Sequence, residues 1–128
     1  MRLLLDTHAL IWFAEDSPEL SEPARAALAD TSDDVFCSVA SIWEMAIKLS
    51  LGKLKMSVRL EGPFERLLER NGFRLVPVEY LHAARVAALP WHHRDPFDRL
   101  LVAQAMVEGM ALLSQDGQLD AYGIERIW

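Results

Sequence analysis

Short apolar runs alternate along this chain with longer stretches in which apolar residues return every three or four positions. The runs "RLLL" (2–5), "VFCSV" (35–39), "RLVPV" (74–78), "MALLS" (110–114) and "IERI" (124–127) have the length of strands. Between them the spacing predicts helices over about 8–15, 21–31, 41–51, 62–71, 79–89 and 96–109. Strands that alternate with helices predict an α/β fold around a mostly parallel sheet of about five strands. Runs that stay apolar, instead of alternating with polar residues, fit a sheet covered on both faces. There is no repeat, low-complexity tract or linker, so residues 1–128 read as a single domain.

Several of the helix ends carry their own chemistry. Ser21 precedes "EPARAALA" and reads as an N-cap, with Pro23 in the first turn. Ser41 and Glu44 match S-x-x-E, a capping box that would start a helix at 41. Gly52 and Gly72 fit C-terminal stops, and Pro90 ends the helix at 79–89. Asp95 stands directly before Pro96, and proline is favoured at the first helical position. Asp95 is then the N-cap, and Asp98 is the third helical residue, free to point off the first turn.

Composition narrows the function classes. A hydrophobic fraction of 52% excludes disorder over most of the chain. A net charge of −6 argues against a broad electrostatic footprint on nucleic acid, which needs Lys and Arg. It leaves room for an acidic enzyme whose carboxylates hold metal ions that meet the phosphate. The single cysteine, Cys37, rules out a disulfide within the chain and reads as a buried small hydrophobe. A reducing compartment follows, and the cytoplasm is the expected location. Asp6 interrupts the apolar N-terminus, no small-residue cleavage site follows, and nothing approaches the roughly 18 apolar residues of a membrane span.

In open α/β sheets, ligands bind beyond the carboxyl ends of the strands. Asp6 directly follows "RLLL", and Asp116 follows "MALLS" after one residue. Glu44 lies in the first turn of the helix after "VFCSV", and Asp98 in the first turn of the helix leading into "MALLS". Four acids from distant parts of the chain are therefore expected over one edge of the sheet. Gathered in a low-dielectric cleft they would raise one another's pKa, a conflict that a divalent cation removes. Mg²⁺ and Mn²⁺ prefer oxygen ligands and suit hydrolysis of a phosphodiester. Each acid also has a local role open to it. Asp6 can cap the helix at 8–15, Glu44 can close a capping box, Asp116 can open a turn with Gly117, and Asp98 can favour a helix N-terminus. Four such acids at corresponding strand ends favour the shared site.

The stretches "LLLDTHALIW", "SVASIWEMAIKLSLGKL", "HHRDPFDRLLVAQA" and "LLSQD" together resemble a PIN domain, and within it a VapC-type toxin of a type II toxin–antitoxin pair. The resemblance runs in order from residue 1 to about 127. It implies a three-layer α/β/α fold and an Mg²⁺- or Mn²⁺-dependent endoribonuclease. It implies that Asp6, Glu44, Asp98 and Asp116 form the acidic site, with Asp6 and Asp98 as direct metal ligands. Ser114 stands where the family often has threonine, and its hydroxyl is expected to steady a carboxylate; Thr7 is expected to do the same beside Asp6. The resemblance also implies a homodimer and a cognate VapB antitoxin, whose C-terminal segment typically crosses the active site and often presents an arginine to the carboxylates.

Other residues weigh less. Lys48, Arg99 and Trp91 are candidate RNA contacts, with Lys53, Lys55 and Arg94 as further cations near the site in sequence. Trp12 and Trp43 fall in amphipathic helices and read as core or interface. His8, His92 and His93 suggest zinc, but no Cys or His spacing resembles a zinc site; contact of His92 or His93 with RNA phosphate or base is a second reading, and a solvated loop before the helix is preferred to it. The competing reading is a non-catalytic acidic module whose carboxylates receive a basic partner peptide.

Overall fold

The computed structural model describes the whole chain, Met1–Trp128. The elements run β1 (Arg2–Leu5), α1 (Thr7–Ala14), α2 (Glu22–Ala29), β2 (Asp34–Ser38), α3 (Val39–Ser50), α4 (Glu65–Arg70), β3 (Arg74–Val76), α5 (Tyr80–Arg85), α6 (Pro96–Glu108), β4 (Ala111–Leu113) and β5 (Arg126–Ile127). The sheet order is β3-β2-β1-β4-β5, and every pairing is parallel. All five apolar runs became strands; four lie at or inside their expected limits, and β2 is displaced by one residue, to Asp34–Ser38. In "RLVPV" the strand stops at Val76, since Pro77 has no N–H to give the ladder.

Alternation of side chains across the sheet explains why the strands are apolar throughout. Leu3, Leu5, Ala111 and Leu113 face one layer, where they meet Ala9 and Leu10 of α1, Ala24 of α2, Met45 of α3 and Leu68 of α4. Leu4 and Leu112 face the other, where they meet Leu101, Val102 and Ala105 of α6. These are the three layers α/β/α. Leu3, Leu4, Leu5, Leu112 and Leu113 are completely buried. Each buried leucine contributes roughly 1.5–3 kcal/mol, so the carboxyl ends of β1 and β4 project from the best-anchored part of the molecule.

Three helix boundaries differ from expectation. The helix expected from 41 begins at Val39, because the Ser38 hydroxyl accepts the Ala40 N–H and caps it. Ser41 and Glu44 therefore form no capping box; Glu44 sits in the second turn with its carboxylate released for other partners. The helix expected over 62–71 becomes regular only at Glu65. Gly62 lies at φ +96°, a conformation other residues resist, and Pro63 disfavours helical backbone in the residue before it. In 79–89, α5 ends at Arg85 and tightens into a 3₁₀ turn at Val86–Ala88 before Pro90. Ser21 caps α2 as read from the sequence, accepting from the Ala24 N–H. No helix is long and apolar enough to cross a membrane. Cys37 is fully buried, and burial pushes its thiol up to about 12, which suits a core residue and not a nucleophile.

Candidate active site

The sheet reverses direction at β1. From there the chain builds outward to β2 and β3 on one side, and β4 and β5 lie on the other. Leu5 is in register with Leu113, so β1 and β4 end level. A crevice at such a reversal, beyond the carboxyl ends of the strands, is where open α/β sheets bind ligands.

Asp6 leaves β1 and caps α1, its Oδ1 accepting the Ala9 N–H at 2.8 Å. The cap uses one oxygen and holds the carboxylate at the root of the crevice, 6% exposed. Burial raises its pKa; a hydrogen bond from the Ser114 hydroxyl and the Ala9 N–H partly oppose this. Ser114 Oγ also accepts the Asp116 N–H at 3.1 Å. One hydroxyl thus stands between the ends of β1 and β4, beside both carboxylates. Thr7 does otherwise: its hydroxyl donates to Ser41 Oγ at 3.0 Å, tying α1 to α3 and leaving the Asp6 carboxylate alone.

Asp116 starts the 3₁₀ turn at Gly117–Tyr122, with Oδ1 accepting the Gln118 N–H at 3.0 Å. Its other oxygen faces the crevice. Asp95 caps α6, accepting the Phe97 and Asp98 N–H groups at 2.8 and 3.2 Å. With the helix start held there, Asp98 points into the same cleft as Asp6 and Asp116, about 390 Å³ in volume and lined also by His8, Trp12, Gln115 and Gly117. Burial pushes Asp98 up to about 7; the charges of Asp95, Asp6 and Glu44 push the same way, and His93 opposes them.

Glu44 reaches this group from α3. It is 4% exposed, and its charge is felt at Asp98. Oε2 accepts from Lys48 Nζ at 2.7 Å, whereas Oε1 is buried with no hydrogen-bond partner. A buried carboxylate oxygen without a donor is costly and calls for a cation or a proton. Across the mouth, Trp43 packs edge-on to Phe97 at 5.5 Å and fixes α3 against the start of α6.

His93, read from the sequence as a loop residue, belongs to the site. Its Nε2 lies 3.0 Å from Asp116 Oδ2 and 3.4 Å from Asp98 Oδ2. Its Nδ1 accepts the Asp95 N–H at 3.2 Å, so the neutral ring carries its proton on Nε2 and donates to Asp116. The three side chains offer atoms within 4.8 Å of one another. The one available signal was position: a histidine two residues before an Asp-Pro helix start can turn back onto its cap.

Arg99, expected to meet RNA, is instead internal. It is 3% exposed, and its guanidinium donates to the Val86, Leu89, Pro90 and His93 carbonyls and to the Tyr122 hydroxyl. On a helix, neighbours in sequence point about 100° apart; Asp98 faces the cleft, so Arg99 faces the packed turns beside it. Lys48 is committed to Glu44, and Trp91 is 78% exposed.

Comparison with known proteins agrees with this geometry. The family model described as PIN domain matches residues 3–125. Ribonuclease VapC22 of Mycobacterium tuberculosis (strain ATCC 25618 / H37Rv) is 27% identical over 121 residues, covering 94% of this chain and 91% of that protein. Among solved structures, VapBC2 from Rickettsia felis, bound to a DNA fragment from its promoter, superposes with a TM-score of 0.73 at 13% identity over 98% of this chain and 97% of that one. VapBC-1 from nontypeable Haemophilus influenzae gives 0.69 at 15% identity, covering 98% and 96%. The sheet order, the acidic crevice and a family match over nearly the whole length lead to one statement: this chain belongs to the PIN domain family.

Proposed function

We propose that this protein is a divalent-metal-dependent endoribonuclease, the toxin of a VapBC-type pair, which cuts RNA phosphodiester bonds at the crevice beyond β1 and β4. The observation that carries the reading is the convergence of Asp6, Asp98 and Asp116 in one cleft, with Glu44 buried behind them and its Oε1 unpaired. Ribonuclease VapC22, aligned along 94% of the chain, supports the nuclease reading, and the VapBC complexes among its structural neighbours support a VapB-type antitoxin as partner. A homodimer is part of the same proposal.

The donor set suits Mg²⁺ or Mn²⁺: hard carboxylate oxygens, two acids held above their usual pKa by burial, and an oxygen lacking a donor. Asp6 and Asp98 would hold the ion, with Glu44 and Asp116 completing the charge. When bound, a divalent cation offsets phosphate charge, acidifies water and stabilises the leaving oxygen. The chain's own groups do the rest. Asp6 and Asp116 are aimed by the turns they cap, and Ser114 keeps them at a constant spacing. His93 holds a proton at Nε2 between Asp116 and Asp98, and so damps their repulsion. Lys48 meets the charge of Glu44 from the side.

The test is cleavage of structured RNA by the purified protein with Mg²⁺ or Mn²⁺. Asp6→Asn and Asp98→Asn should each lower the rate at least about a hundredfold while circular dichroism reports an intact fold. Full activity in both variants would sink the assignment. Calorimetric titration with no divalent ion bound at millimolar concentration would favour the non-catalytic acidic module.

A further inference from the structure

Beside the acidic cleft lies a second pocket of about 300 Å³, lined by Trp91, His92, His93, Arg94, Asp95 and Gln118. The two are adjacent: His93 lines the second and contacts Asp98 and Asp116 of the first, and Gln118 follows Gly117 of the first by one residue. The first holds the carboxylates, whereas the second is rich in rings and cationic or amide side chains. Arg94, exposed on its rim, is among the few cations near an otherwise acidic mouth.

Trp91 is built into this pocket in an unusual way. The Arg99 guanidinium lies over its ring, 3.8 Å from the centroid. That guanidinium is held in turn by five oxygen acceptors, which leaves it little freedom. One face of the indole is therefore pinned to a rigid cation, and the residue as a whole is nevertheless 78% exposed. A mobile surface tryptophan would lose conformational entropy when a ligand stacked on it; a ring already fixed loses little. His92 is fixed as well, edge-on to Tyr122 at 5.0 Å.

We propose that this pocket is a nucleobase subsite, in which an unstacked base next to the scissile phosphate lies on the open face of Trp91. The inference rests on the ribonuclease reading above and adds to it a residue that receives a base. Aromatic faces take up bases with little regard to sequence, because every base has a π-face. A base inside a duplex has both faces covered by its neighbours and cannot use the ring. The ring is therefore open only to an unstacked base, as in a loop, bulge or end. Arg94 meets the adjoining phosphate, and Gln118 offers an amide to a base edge.

The experiment measures binding separately from cleavage. Asp98→Asn protein, which leaves RNA intact, is titrated by fluorescence anisotropy against a labelled pool of short random-sequence single-stranded RNA and against a blunt duplex. Adding Trp91→Ala should weaken single-strand binding between about fivefold and a hundredfold, the loss expected for one base–aromatic stack, and reduce the preference over duplex. Trp91→Phe should recover most of it. Equal single-strand affinity with and without Trp91→Ala overturns the subsite and leaves the ribonuclease reading intact. An equal loss on single strand and duplex also overturns it. So does a Trp91→Ala protein that keeps its RNA affinity but changes oligomeric state on size-exclusion chromatography, since the ring would then belong to a protein interface. If folded Asp98→Asn protein takes up neither RNA, the subsite and the ribonuclease reading fall together.

Discussion

Asp98 and Arg99 are neighbours in the first turn of α6, and the fold treats them in opposite ways. Arg99 is buried with five oxygen acceptors around one guanidinium. Asp98 is largely buried among other acids, and the side-chain nitrogen that faces its carboxylate is His93 Nε2 at 3.4 Å. A buried charge with its hydrogen bonds complete holds structure together. A buried charge kept beside like charges destabilises the fold, and persists where chemistry needs it. The helix start supplies the first with its cage and the second with its conflict, so one turn both braces the protein and arms it.

The widest separation between the two should appear on removing each. Arg99→Met leaves four carbonyls and the Tyr122 hydroxyl short of a donor and should lower stability by about 3 kcal/mol or more. Asp98→Asn removes a repelled charge and should raise the stability of the metal-free protein by about 1–2 kcal/mol at pH 7, while cleavage is lost. Urea unfolding of both variants checks this pair. Equal losses would mean that Asp98 is structural too.

A smaller contrast lies in the response to pH. The folded pKa of Asp98 is raised to about 7 from an ordinary value near 3.8, and that of Asp6 is raised in the same direction. The fold favours the protonated acids, so their stabilising share is complete below about pH 4 and is lost as pH rises to about 7. The Tm of metal-free protein should therefore fall by roughly 5 °C or more over that window. Mg²⁺ or Mn²⁺ at pH 7 should restore it, and Asp98→Asn should flatten the profile. A metal-free Tm that rises steadily from pH 4 to 7 would contradict the placement of these acids.

The smallest effect tests the cap that aims Asp98. Asp95→Ala should cost about 1 kcal/mol, and Asp95→Asn, which still accepts the Phe97 and Asp98 N–H groups, only a few tenths. Cleavage should survive in Asp95→Asn. If that variant is as inactive as Asp98→Asn, then Asp95 acts in the chemistry and not only through the helix start.

Much of this was legible in the sequence because it depends on local pattern. Apolar runs and helical spacing announced five strands and the helices between them. Asp95 before Pro96 announced a cap, and the backbone bonds to Asp95 match that reading. The errors also have a common form. Ser41 and Glu44 satisfied a capping pattern, but Ser38, three positions earlier at the end of β2, took the cap and gave the helix another start. Thr7 looked like a partner for Asp6, yet a serine 34 positions away claimed its hydroxyl. Arg99 looked like a surface cation because its acceptors are carbonyls of the 86–93 stretch, and a carbonyl belongs to every residue and marks none in a sequence.

What the sequence determined by itself, then, was the alternation that makes a parallel α/β sheet, and the positions of three acids, Asp6, Asp98 and Asp116, at element ends that such a sheet turns to one side. The tertiary structure decided which groups stand within a few ångströms of them. It brought His93 to Asp116 and Asp98, left Glu44 Oε1 without a donor, and turned Arg99 inward to hold Trp91. The physical reason is range. Strand and helix patterns are set by neighbours along the chain, whereas hydrogen bonds and charge interactions act across space, and only the packed layers set those distances.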